Sequence, residues 1–202
     1  MQPTFLVTMT RELDAPVRAT ERVCAVVLVT GLTAIAAQVS IHLPFTPVPF
    51  TFQPMVVLLG ATVLGSRLGA ASQVLYLALG IAGMPVFAAS PLLPPGAARL
   101  LGPSGGYLMS YPLAAFVTGL LAERGFDRRY LTAIIGMAAG LAVVYAGGTA
   151  WLSIASPQAG GIATALAAGV APFIVPDVLK LFVAAGVMPG LWKITGQAGS
   201  CR

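Results

Sequence analysis

The chain has 202 residues, 57% of them apolar and only 8% charged, with a formal net charge of +5. Its mean hydropathy is +0.90. Soluble domains carry about 25% charged residues, so the composition excludes a soluble domain and marks a membrane protein with length for about six spans of roughly 20 residues each.

In chain order, residues 1–22 carry Arg11, Glu12, Asp14, Arg18, Glu21 and Arg22. The run Phe5-Leu6-Val7 is too short for a signal-peptide core, so this segment reads as a cytoplasmic, amphipathic lead-in. Residues 23–193 read as an all-α, six-helix membrane domain, and 194–202 as a cytoplasmic tail. The spans are drawn at 23–43, 54–64, 68–82, 106–121, 131–152 and 172–192, the second being short for a crossing. Cys24 and Cys201 sit near opposite ends, form no metal-binding spacing and are expected to stay free thiols.

Lys and Arg set the orientation, because they collect on the cytoplasmic side. With both termini inside, nine of the eleven basic residues lie inside, and the exceptions are Arg99 and Lys180. Arg99 falls in the outer connection after span 3, and Lys180 in the outer half of span 6. Glu123 and Asp127 join the inner set, which leaves Asp177 as the one carboxylate side chain outside cytoplasmic segments. Tyr107, Tyr111 and Trp151 fall near the outer interface, and Tyr130 and Trp192 near the inner one, as aromatic belts would. Gly136 and Gly140 form a small-xxx-small pair suited to close helix packing.

Two outer connections are unusual. Residues 44–54 hold four prolines in eleven positions and cannot form a regular helix. Residues 83–107 are also rich in Pro and Gly. Irregular backbone at membrane depth survives where it is buried in protein or lines a cavity, so both segments read as walls of an outward-facing pocket.

The chemistry concentrates on Asp177 and Lys180, three residues apart on one helical face inside an apolar segment. Each such charge costs roughly 2.5–3.5 kcal/mol at a bilayer centre on insertion scales. The pair either neutralises itself or serves a polar ligand: Asp accepts from N–H groups and Lys donates to a carbonyl or carboxylate. Arg99 adds a cation suited to a carboxylate. The three together suit a small molecule with N–H donors, a carbonyl and an acidic tail. Gln53 reads as a pocket residue or a loop cap, and Tyr76 as a pocket aromatic or a packed helix residue. Gln73 and Tyr76 lie three apart and are expected to face the bundle interior. His42 reads as interfacial. The chain has no Gly-Lys dipeptide and hence no Walker A loop. It shows no nucleophile–base constellation, so no enzyme, resident cofactor, metal or nucleic-acid partner is expected. The chain therefore reads as a binder, with energy for any transport supplied elsewhere.

Pro44-Phe-Thr-Pro-Val-Pro-Phe-Thr-Phe-Gln53, Tyr76-Leu-Ala-Leu-Gly-Ile-Ala-Gly-Met-Pro-Val-Phe-Ala88, Leu101-Gly-Pro-Ser-Gly-Gly-Tyr107 and Pro176-Asp-Val-Leu-Lys180 resemble the BioY family in order and spacing over roughly residues 22–193. These are the biotin-binding S components of energy-coupling factor (ECF) transporters. The resemblance implies an S-component-like bundle in the bacterial cytoplasmic membrane and high-affinity biotin capture from the extracytoplasmic side. It also implies partnership with a transmembrane coupling protein and two ABC ATPases, which alone use ATP. It places ligand contact on Asp177 and Lys180, and further pocket positions at Arg99 and Gln53. S components often carry Ala-x-x-x-Ala on the first helix as a docking surface. Span 1 lacks it and offers Thr30/Ala34, Thr33/Ala37 and Ala36/Ser40 instead. A stand-alone secondary transporter of biotin or a related vitamin is the alternative, and a homo-oligomer is left open.

Overall fold

The structure is a computed structural model that describes residues 3–10, 13–90, 93–155 and 161–194. Arg11, Glu12, Cys201, Arg202 and nearly all of the C-terminal tail lie outside the described residues. Helices dominate: α1 (Phe5–Met9), α2 (Ala15–Gln38), α3 (Gln53–Leu64), α4 (Ser66–Ile81), α5 (Gly105–Ala122), α6 (Tyr130–Ala155), α7 (Ile162–Gly169) and α8 (Ala171–Ile194). Between α2 and α3, strands β1 (Ser40–Ile41) and β2 (Phe50–Thr51) pair antiparallel, Ser40 opposite Thr51 and Ile41 opposite Phe50.

Among the described residues, four helices are long and apolar enough to cross a membrane: α2, α5, α6 and α8. The helix α3 is apolar but has 12 residues, and α4 has 16. Among the described residues, the six spans drawn fall on four helices of full spanning length and two shorter ones, so six full-length spans are not found. Large apolar side chains point outward along these helices, Ile154 at 82% exposure and Val175 at 69% among them. Such surface belongs against lipid and not water.

The helix α2 begins at Ala15, eight residues before the span drawn at 23. Hydropathy marks where the membrane ends, whereas a helix continues into water on polar residues, and Pro16 suits its first turn. The span also ends earlier, because residues 40–41 leave the helix to form β1. The small residues proposed for docking mostly turn inward. Thr30, Thr33, Ala36 and Ala37 are buried, and Thr30 Oγ1 donates across to the Ser72 carbonyl of α4 at 2.9 Å. The outward face of α2 is built instead from Val23, Val27, Leu28, Leu32 and Ile35. Gln73 is buried and donates to Ser72 Oγ at 3.1 Å, so it faces the bundle interior as expected.

The most extensive helix pair is α5 with α6, and glycines bring the two close. A Cβ at Gly147 would stand 2.8 Å from Ser110 Cβ, and one at Gly148 would fall into the Tyr107 ring. Gly140 packs against Thr118 and Leu58, while Gly136 has ordinary room. The turn from α3 to α4 runs through Gly65 at φ +86°. There Glu123 Oε1 accepts from both the Ser66 N–H and the Ser66 hydroxyl at 2.8 Å, a carboxylate on a helix N-terminus.

At the end of the bundle holding residues 123–129, the aromatic-belt reading is corrected for Trp192. It is 1% exposed, donates to Asp127 Oδ2 at 2.8 Å and lies under Arg128 and beside Phe5. Tyr107 and Tyr111 are likewise buried in protein. Cys24 is an exposed free thiol.

Candidate ligand-binding site

Asp177 and Lys180 face inward from α8, one turn apart and both buried. Lys180 Nζ donates to Asp177 Oδ1 at 2.8 Å and to the Thr51 carbonyl at 2.7 Å. It also stands 3.6 Å from the centre of the Phe50 ring, a cation on an aromatic face. The Pro-rich segment is therefore not a free loop. Its β2 residues pair with β1 just upstream, and this hairpin supplies both a carbonyl and a ring to the lysine. Asp177 is held from the other side, where the Tyr145 hydroxyl of α6 donates to Oδ2 at 2.7 Å.

Above this pair lies a cavity of about 520 Å³, inside the roughly 300–1,000 Å³ range of small-molecule pockets. Its walls come from the 42–54 hairpin, the 87–104 connection, and the inward faces of α5, α6 and α8. The lining is mostly apolar. Asp177, Lys180, Arg99 and Gln53 all border it, so four of the five sequence-derived candidates converge on one hollow.

Arg99 sits in a single 3-10 turn, Ala97–Leu101. Its Nε donates to the Pro94 carbonyl at 3.0 Å and its Nη1 to the Ala88 carbonyl at 2.6 Å. The guanidinium thus ties the second connection to itself while its edge borders the cavity. Trp151 fastens the same connection to α6, donating to the Gly102 carbonyl at 2.9 Å.

Gln53 is 2% exposed, and its Nε2 donates to the Tyr76 hydroxyl at 2.6 Å. That hydroxyl in turn donates to the Val86 carbonyl at 3.1 Å, and the Tyr76 ring meets Phe87 edge to face at 5.4 Å. Tyr76 is fully buried behind the wall and is not among the residues lining the cavity. It fixes the Gln53 amide and the start of the 83–107 connection. His42 borders the cavity from an exposed position on the hairpin loop.

Tyr145 is the site residue that the sequence reading misses. Its signal is weak: a tyrosine inside an apolar helix, 32 residues from its partner. Tyr107 and Tyr111 also line the cavity, and the Tyr107 hydroxyl donates to the Gly169 carbonyl at 2.8 Å, tying α5 to α7.

Chemically, the cavity offers hydrogen-bond acceptors at its Asp177 corner, a cation at Arg99 and an apolar body between. The BioY family model matches residues 8–197. The chain belongs to the BioY family. A probable BioY biotin transporter of Pyrococcus horikoshii is 41% identical over 160 residues, covering 79% of this chain and 89% of that protein. The BioY biotin transporter of Thermotoga maritima is 39% identical over 165 residues, covering 82% and 92%. Among solved structures, the S component for biotin from an ECF-type ABC transporter superposes with a TM-score of 0.77 at 26% identity, over 87% of this chain and 93% of that one. This BioY-family chain therefore has the S-component fold.

Proposed function

We propose that the chain captures biotin from the outer side of the cytoplasmic membrane and serves as the substrate-binding S component of an ECF transporter. The observation that carries the reading is the buried Asp177–Lys180 pair on the floor of a mostly apolar cavity, in a chain of the BioY family. Biotin matches that lining. Its ureido ring carries two N–H donors and a carbonyl, its bicyclic body and valeryl chain are apolar, and its tail is anionic. Asp177 accepts from the ureido N–H groups, Lys180 balances Asp177 or meets the ureido oxygen, and Arg99 draws the carboxylate. Gln53 adds a polar edge, and Tyr76 acts through Gln53.

The protein acts as a transport subunit, not an enzyme. Its energy comes from a transmembrane coupling protein and two ABC ATPases. The helices α3 and α4, about 18 and 24 Å long at 1.5 Å per residue, complete six crossings together with the four long helices. Both termini are cytoplasmic, and the cavity opens outward.

The test is a ligand panel on the purified protein. Biotin should raise the unfolding temperature strongly and desthiobiotin less, while lipoate, thiamine and riboflavin leave it unchanged. A ligand at 100 times its Kd adds about 2.7 kcal/mol of stability. Asp177→Asn and Lys180→Ala should each weaken biotin binding about tenfold or more, which is about 1.4 kcal/mol. Stabilisation by thiamine or riboflavin in place of biotin would overturn the proposal.

A further inference from the structure

We infer that Tyr145 is a positioning residue for ligand recognition: its hydroxyl orients the Asp177 carboxylate so that this corner of the cavity reads N–H donors. The inference rests on the biotin-capture reading and names a residue which that reading leaves without a role.

Asp177 Oδ1 accepts a hydrogen bond from Lys180 Nζ at 2.8 Å, and Oδ2 accepts one from the Tyr145 hydroxyl at 2.7 Å. The two oxygens are therefore held from different helices, α8 and α6, and the carboxylate cannot turn without breaking one bond. An ionised carboxylate has about four lone-pair sites, so acceptor capacity remains after both bonds form. The Lys180 ammonium is directed to Asp177, to the Thr51 carbonyl at 2.7 Å and to the Phe50 ring at 3.6 Å. The Tyr145 hydroxyl uses its only O–H in the hydrogen bond to Asp177, so toward the cavity it too is an acceptor. What Asp177 and Tyr145 present to a guest is therefore acceptors.

The other side of the pair has little room for a guest. It abuts a hollow of about 10 Å³ walled by Met55, Leu58, Met137 and Leu141, about the least that holds a single water. A guest therefore reaches Asp177 from the large cavity, past Tyr145, which lines it. A ligand end bearing N–H groups is accepted here. A ligand with one of those groups capped is rejected, because the carboxylate then loses a partner and meets a bulky substituent.

The experiment is a two-by-two comparison in the full-length protein: wild type and Tyr145→Phe, each titrated with biotin and with biotin methylated on the ureido nitrogens. Wild type should prefer biotin. Tyr145→Phe keeps the ring and removes only the hydroxyl. It should lose about tenfold in biotin affinity while binding of the methylated ligand changes little, so discrimination falls. That non-additive pattern is the signature of coupling between the hydroxyl and the ligand N–H. Equal losses for both ligands, or no loss, would overturn the inference. Tyr145→His, which keeps an N–H donor on a ring, is the second variant. Discrimination retained supports the donor role, and discrimination lost in a folded protein contradicts it. If wild type binds no biotin at all, it is the capture reading that fails.

Discussion

Asp177 and Lys180 are stable in the membrane because each is the other's partner and both have further ones: Tyr145 for the acid, Thr51 and Phe50 for the base. Removing one member of a buried pair costs about 3–5 kcal/mol, whereas replacing both by apolar groups is often neutral. Lys180→Met should thus lower the thermal unfolding midpoint sharply. The double variant Asp177→Leu/Lys180→Met should recover most of that stability yet lack any biotin-induced shift, which separates holding the fold from holding the ligand. Asp127 makes a second test. Burial holds its carboxyl above the usual carboxylate range, against the opposing pull of Trp192 and Arg128. A raised acid costs stability when ionised, so its penalty is absent below the unfolded pKa and complete above the folded one. The stability of wild type relative to Asp127→Asn should fall as pH rises through the carboxylate range and onward to the raised value. A flat difference between pH 4 and 8 in thermal unfolding would refute this burial effect. At this scale the sequence reveals charges out of place, and Asp177, Lys180 and Arg99 are such charges. It hides Tyr145, whose partner lies on another helix, and Asp127, which looks like an ordinary loop charge until Trp192 covers it.

The α5–α6 seam sets the shape of the cavity wall, since Tyr107 packs on Gly148 and lines the cavity from α5. Gly148→Ala would push a methyl group into that ring. Overpacking of this kind costs about 1–3 kcal/mol, and the displaced hydroxyl would lose its bond to Gly169. The expected outcome is a lower unfolding temperature together with weaker biotin binding, measured on the same sample. Gly136→Ala, with its neighbours no nearer than 3.6 Å, should change neither. Span positions 2 to 6 agree with α3, α4, α5, α6 and α8 within three residues at each end, because long apolar runs between turn residues leave little choice. The hairpin was legible only as an irregular wall. Two-residue strands carry no periodicity, and Phe50 and Thr51 make their contacts with Lys180 on a helix more than a hundred residues away. The inward turn of Thr30 and Thr33 was hidden for a similar reason: small residues suit close packing against any neighbour, and here the neighbour is α4.

For the molecule as a whole, charge placement and cavity placement agree. Arg99, Asp177 and Lys180 border one hollow, while Arg67, Arg124, Arg128 and Arg129 lie in or beside the connections at the other end of the helices. In a cysteine-free background, a cysteine at Phe45, which is 63% exposed, should react with a membrane-impermeant reagent on intact cells, and one at Arg124 should not. The reverse pattern would invert the orientation. The most direct test of the central claim is calorimetric titration of biotin into the purified wild-type chain and into the Asp177→Leu/Lys180→Met double variant. The account predicts saturable one-site binding to wild type and its loss, tenfold or greater, in a variant that still unfolds cooperatively. No heat of binding with wild type, or equal affinity in both proteins, would contradict it.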